Sequence, residues 1–248
     1  MITVLSYHEL NLLTPVSIIV SQKAVNIASN NSKYREVDNL PTLTGIILAG
    51  GKSSRLGRNK STEILLGKSL FHRVVESIAK ACDPILVVTS ADSIIPELPS
   101  RYPMREIIDA EKNMGPLQAL QSALPYSDTP YSFIASCDVP FLSSSLIERM
   151  AAMCPNNQSL DAIVPVIEGK PQVLHSIYHR RIEATIRRIS SDEPRTLGIT
   201  SILKELRVLF VDQKDILRTD SDLWSFFDID NKEDLETAKR HIISLQKK

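Results

Sequence analysis

A chain of 248 residues, 43% of them apolar, is long enough to bury a substantial core and fits one α/β domain. Its 29 basic residues balance 29 acidic ones, so no net field draws it to nucleic acid or to an anionic membrane. No apolar run approaches the ~20 residues of a membrane span, and the partner expected from charge is local and small.

Residues 1–43 begin without a recognisable targeting segment. Val16-Ser17-Ile18-Ile19-Val20 is too short for a signal h-region, and no basic stretch precedes it. Asn26 to Asn39 is polar with little periodicity. The segment reads as an N-terminal extension, poorly ordered or loosely attached, ahead of a domain spanning 44–248. An upstream start codon would leave the same trace.

From Thr44 the pattern alternates strand and helix. Thr44 to Ala49 reads as a buried strand running into Gly50-Gly51. Ser69 to Ala81 reads as a helix with Ser69 as its N-cap and Leu70, Val74, Ile78 and Ala81 on one face. Ile85 to Thr89 and Met104 to Ile108 suit parallel strands, the second ending at Asp109. Pro116 to Leu124 reads as a helix with proline in its first turn, where the missing N–H costs nothing. Tyr131 to Ser136 is the next strand, ending before Asp138. Ser145-Leu146-Ile147-Glu148 has the form of a capping box opening a helix to about Met153. Ala162 to Val166 and Val173 to Tyr178 are expected to pair around the turn at Glu168-Gly169-Lys170. Helices are expected near Ile182–Ile189 and Ile199–Leu206, then a strand from Arg207 to Val211. Asp230-Asn231-Lys232-Glu233 is expected to cap a last helix carrying Leu235, Ala238 and Ile242 on one face. The alternation predicts an α/β fold with a doubly wound, mostly parallel sheet and helices on both faces.

The chemistry gathers at the first strand's end. Two adjacent glycines let the backbone approach a ligand and turn with positive φ. Backbone N–H groups there, with Arg55 and Lys60, form an anion-binding concavity suited to a nucleoside triphosphate. Gly51-Lys52-Ser53 is not a P-loop, because Ile46 stands where that motif needs a glycine. Gly67-Lys68-Ser69 fails likewise at Thr62, and the dinucleotide fingerprint fails at Lys52. Ligands of open α/β sheets sit beyond the carboxyl ends of strands, which puts Leu48 to Lys60, Asp109 and Asp138 around one crevice. Asp138 suits Mg²⁺, which takes one or two carboxylates plus phosphate oxygens and water. The alternative role for Asp138 is to cap the turn at Asp138-Val139-Pro140. Cys82, Cys137 and Cys154 show no zinc spacing, which fits a reduced cytoplasmic interior. Cys137 reads as a small buried hydrophobe, and the five histidines form no relay.

Leu48-Ala49-Gly50-Gly51-Lys52-Ser53-Ser54-Arg55-Leu56-Gly57, closed by Lys60, matches a nucleotidyltransferase signature. Three further features follow in order. They are Asp109 with Gly115-Pro116-Leu117, Cys137-Asp138-Val139-Pro140, and Phe227-Asp228-Ile229-Asp230-Asn231-Lys232-Glu233-Asp234-Leu235. Over about residues 44 to 243 the chain resembles the molybdenum cofactor guanylyltransferases, which have a nucleotide-diphospho-sugar transferase-like, Rossmann-like fold. The resemblance implies transfer of GMP from Mg-GTP to the terminal phosphate of molybdopterin, with pyrophosphate released. It implies Arg55, Lys60 and Asp138 as catalytic residues, with Mg²⁺ on Asp138. GTP would be bound by Leu48, Ala49, Gly50, Gly51, Lys60, Asp109 and Asp138, with Asp109 accepting from guanine. The implied partners are GTP, molybdopterin and cofactor-insertion proteins, with neither nucleic acid nor membrane. A cytidylyltransferase on the same pterin, a sugar-phosphate nucleotidyltransferase and a non-catalytic cofactor-binding protein are the alternatives. The chain departs from the family at Asn59, where an aspartate is usual, and at Ala91, where an asparagine is. Asp228 and Asp230 stand where the family has asparagines, and could add a metal ligand or cap the last helix.

Overall fold

A computed structural model describes residues 40–50, 60–109, 115–154, 159–192 and 198–247. The first strand, β1 (Leu43–Leu48), is buried at every position and lies between two parallel neighbours. After it come a short hairpin, β2 (Ile64–Leu65) and β3 (Lys68–Ser69), helix α1 (Leu70–Ile78), and strands β4 (Cys82–Ser90) and β5 (Met104–Asp109). Helix α2 (Pro116–Ala123) then leads to β6 (Tyr131–Ser136), and α3 (Ser144–Ala151) to β7 (Ala162–Ile167). The second half supplies β8 (Lys170–Pro171), β9 (His175–His179), α4 (Ile182–Asp192), β10 (Val208–Asp212), α5 (Gln213–Ile216) and α6 (Lys232–Gln246).

The main sheet runs β10-β7-β9-β6-β1-β4-β5, with β8 paired to β7. β1, β4, β5 and β6 are mutually parallel, and β7 is parallel to β10; β9 alone on this path runs antiparallel to its neighbours. From β1 the chain steps outward to β4 and β5, then crosses back to β6 on the other side of β1. That reversal leaves a crevice at the carboxyl end of β1, the usual ligand position in such sheets. The mostly parallel, doubly wound fold expected from the sequence is present.

Period-two alternation divides the sheet between two cores. Leu43 and Ile47 join α1 and α3 through Phe71, Val74, Ile78, Leu146 and Met150. Ile46 and Leu48 join α2 and α4 through Leu117, Leu120, Ile182 and Ile186 on the other face. A third, smaller cluster of Leu65, Leu70, Ile229, Leu235 and Ala238 ties the hairpin and α1 to the C-terminal helix. No helix among the described residues is long and apolar enough to cross a membrane.

Several local expectations hold and others need correction. Ser69 caps α1, its side chain accepting from the His72 amide. Helix α3 is capped not by Ser145 but by Ser143, whose hydroxyl accepts from the Leu146 amide at 3.4 Å. In a run of three serines the cap goes to the residue left extended, here with φ −92° and ψ 122°. Val173 and Leu174 precede the strand, because Gln172 N–H donates to Pro165 O and His175 N–H to Gln172 O, closing a turn. The segment Ile199–Glu205 is a 3₁₀ helix.

Candidate functional site

Four pieces of chain meet at the carboxyl edge near β1. The end of β1 is fixed on both sides, Ala49 N–H donating to Val88 O (2.8 Å) and Cys137 N–H to Leu48 O (3.2 Å). Leu48 and Ala49 are buried and those two groups are spent on the sheet, so both residues set the course of the chain. Gly50 follows where space is tight: a Cβ there would stand 3.1 Å from Ser90 N, so the backbone of β4 would have to give by a few tenths of an ångström. Gly51, Arg55 and Asn59 lie outside the described residues.

Lys60 opens a 3₁₀ turn, Lys60–Thr62, whose backbone is held by Ser61 Oγ donating to Ile94 O at 2.9 Å. The Lys60 ammonium donates to Asp138 Oδ2 at 2.7 Å and also to Asp230 Oδ1. Asp138 stands two residues beyond β6, and its carbonyl accepts from Ile229 N–H at 3.0 Å. That bond fastens the β6 turn to the C-terminal segment. Ile229 is fully buried, and burial of such a side chain contributes about 1.5–3 kcal/mol. It anchors Asp228 and Asp230 on either side of it. Rings brace the same two segments: Phe141 packs on Trp224 (centroids 5.0 Å) and Phe227 (6.2 Å), and His241 stacks on Trp224.

Asp230 does not cap the last helix, which corrects that reading of the sequence. Asn231 is the N-cap of α6, accepting from the amides of Glu233 and Asp234. Asp234 completes the box by accepting from Asn231 N–H at 3.0 Å and from Asp230 N–H at 2.9 Å. With the cap closed by others, the Asp230 side chain is turned to Lys60.

Two carboxylates thus share one ammonium, with Asp228 near enough to feel their charge. Burial alone would lower the Lys60 pKa; hydrogen bonds to Asp138 and Asp230 outweigh it and leave the ammonium above its ordinary value. Asp228 is raised above the usual carboxylate range, by burial first and then by the charges of Asp230 and Asp138. The cluster therefore carries negative charge in excess of what Lys60 neutralises. Among the described residues no three His, Cys, Asp or Glu side chains form a complete metal cage. Mg²⁺ asks for less, one or two carboxylates with phosphate and water, and hard oxygen donors around a cation fit it.

Asp109 ends β5 in register with Ser90 of β4 and is buried. Its Oδ1 accepts from Ser122 Oγ of α2 at 3.1 Å. Three strand spacings separate β5 from β6, ~14 Å, so Asp109 and Asp138 stand at opposite ends of the crevice. Between Asp109 and α2, Gly115 adopts φ 88°, and no side chain caps that helix. Sequence reasoning missed Ser122, since a serine on a helix carries no signal of a partner on the neighbouring strand. For Asp230 the sequence offers a metal ligand or a helix cap, and carries no signal of its pairing with Lys60.

Cys137 and His175 belong to the core. Cys137 is buried and its thiol pushed up to about 12 by burial, which makes it a core residue. His175 is buried between Phe133 and Phe226, and burial lowers its pKa to about 3.

Comparison with known proteins agrees with this fold. The profile of the MobA-like NTP transferase domain matches residues 45–208. A probable molybdenum cofactor guanylyltransferase of Natranaerobius thermophilus is 30% identical over 200 residues, covering 81% of this chain and 96% of that protein. The molybdenum cofactor guanylyltransferase of Desulfosudis oleivorans is 30% identical over 208 residues, covering 82% and 97%. Molybdopterin-guanine dinucleotide biosynthesis protein A of Archaeoglobus fulgidus superposes with a TM-score of 0.67 at 23% identity, over 82% of this chain and all of that one. That last likeness speaks for the fold. The chain belongs to the MobA-like NTP transferase family.

Proposed function

We propose that this protein transfers GMP from Mg-GTP to the terminal phosphate of molybdopterin. An acceptor phosphate oxygen attacks the α-phosphorus, the α–β bridging P–O bond breaks, and pyrophosphate leaves. The observation that carries the reading is the bracketing of Lys60 by Asp138 and Asp230 at the strand crossover, beside the glycine turn at Gly50. Lys60, together with Arg55, would hold the triphosphate and stabilise charge on the leaving pyrophosphate. Gly50 and Gly51 would let the backbone N–H groups reach the phosphates. Asp138, with Asp230, would hold Mg²⁺, which when bound offsets charge on the α-phosphate. Asp109, oriented by Ser122, would accept from the guanine N1 and N2 donors, which adenine cannot supply. No covalent enzyme intermediate is needed, and the residues act by position and charge.

The test is a nucleotide panel with purified protein, Mg²⁺ and molybdopterin, read as pyrophosphate release and as the dinucleotide product by mass spectrometry. GTP should support both, with CTP and ATP far behind. CTP in first place would make this a cytidylyltransferase, and binding without pyrophosphate release would make it a carrier of the cofactor.

A further inference from the structure

The Lys60 ammonium occupies the place between two carboxylates that a divalent cation would take. It reaches there on a flexible four-carbon stem, while its backbone is pinned by Ser61 on Ile94 and by Glu63 N–H on Lys60 O. Its side chain keeps 22% of its exposure and that of Asp230 37%, so the stem can leave without unpacking the core. A metal ion at these oxygens would repel the ammonium across a few ångströms and loosen its hold on them.

From this geometry we infer that Lys60 is a tethered stand-in for the metal, and that Mg²⁺ and Lys60 exchange at the Asp138–Asp230 pair. The inference rests on the proposed metal role of Asp138 and adds an order of events to it. In the nucleotide-free protein the ammonium offsets part of the charge of the two carboxylates. A divalent cation arriving alone must evict Lys60 into water and binds poorly. A triphosphate offers the evicted ammonium new oxygens, so nucleotide and metal each strengthen the other's binding, as reciprocity requires. One side chain thereby makes metal loading conditional on substrate.

The exchange makes an unusual claim, that removing a lysine assigned to catalysis improves metal binding. Mn²⁺ binding to nucleotide-free protein, followed by the loss of the free-ion electron paramagnetic resonance signal, tests it. Lys60→Gln should bind Mn²⁺ roughly tenfold tighter or more than the unaltered protein, the scale of one charge-assisted contact. Asp230→Asn should bind it several-fold more weakly, and Asp138→Asn should bind it least. In the unaltered protein, Mn²⁺ should also raise acylation of Lys60, read by peptide mass spectrometry, with the same midpoint as the resonance titration. That labelling needs no variant and decides the matter if Lys60→Gln does not fold.

Equal or weaker Mn²⁺ binding by folded Lys60→Gln, or Lys60 labelling unchanged by a bound metal, overturns the exchange and leaves the metal role of Asp138 standing. Absence of Mn²⁺ binding to every form overturns both. An exchange that holds in a protein unable to transfer GMP overturns the guanylyltransferase reading alone.

Discussion

Two charged clusters sit at opposite edges of the same sheet, and they are built to opposite rules. At the amino end of β7, Asp161 meets two arginines. Arg207 grips it through Nε (3.0 Å), Nη2 (3.1 Å) and its backbone N–H (2.9 Å), while Arg181 adds Nε and reaches on to Leu160 O at 2.8 Å. Burial would raise the Asp161 pKa, but these donors pull it down to about 2. At the carboxyl edge the ratio is inverted, with one ammonium facing Asp138 and Asp230 while Asp228 stands close enough to be raised by both. The first cluster is closed and ties β7, α4 and the start of β10 together. The second sets two carboxylates against one ammonium among the described residues, a balance that a cation and a phosphate chain would suit. An ion pair in which arginines enclose a carboxylate holds a fold, and a carboxylate-rich one at a strand crossover suits a ligand site.

If the two clusters divide the labour this way, changes at each should move different quantities. The largest effect belongs to Lys60→Met, which should lower pyrophosphate release from Mg-GTP by about a hundredfold or more. Unchanged turnover would leave Lys60 a structural cation.

Asp161→Ala should act in reverse. It strands two arginines and should cost about 2 kcal/mol of stability, read by urea denaturation, with turnover per folded molecule unchanged. The sign with pH follows from its lowered pKa. The stabilisation is fully present above the unfolded value near 3.8 and is lost as pH falls through about 2. It amounts to about 1–2 kcal/mol, because the Arg207 side chain is 53% exposed and screened. Acid melts of Asp161→Ala should therefore lack the part of the unaltered protein's loss that falls in that window.

Asp109→Ala probes the far end of the crevice. It should weaken GTP binding by about 1–3 kcal/mol and leave CTP nearly untouched, as calorimetry would show. Equal losses for both nucleotides would mean that Asp109 serves Ser122 and the fold. The smallest effect should come from deleting residues 1–40, since β1 begins at Leu43 and the family match at residue 45. A marked fall in melting temperature would show that residues 16–20 pack as a real element.

Much of this molecule was legible in local patterns. Apolar runs marked β1, β4 and β6, a serine marked the start of α1, and Pro116 marked that of α2, because each signal acts within a few residues. The second half read less well. Its strands are short, and β9 begins two residues late because Gln172 folds into a turn against Pro165. The cap of α3 falls on Ser143, one of three serines that composition cannot rank. Within the candidate site, strand ends disclosed Asp109, Asp138 and Lys60, and the parallel sheet brought them to one edge. The pairing of Lys60 with Asp230, 170 residues apart, had no local signature. Only the replacement of an asparagine by aspartate drew notice to that position. Gly51 and Arg55, both assigned from the glycine turn, lie outside the described residues.

The central claim is that the Asp138 charge serves the reaction and not the fold. Asp138→Asn keeps the shape of the side chain while removing the charge that faces Lys60. Turnover and thermal melting should be measured on the same preparation. The account predicts pyrophosphate release lower by about a hundredfold or more, with the melting temperature nearly unchanged. A protein that melts early while its folded fraction turns over at the normal rate would contradict it, and would make Asp138 a cap on the turn after β6.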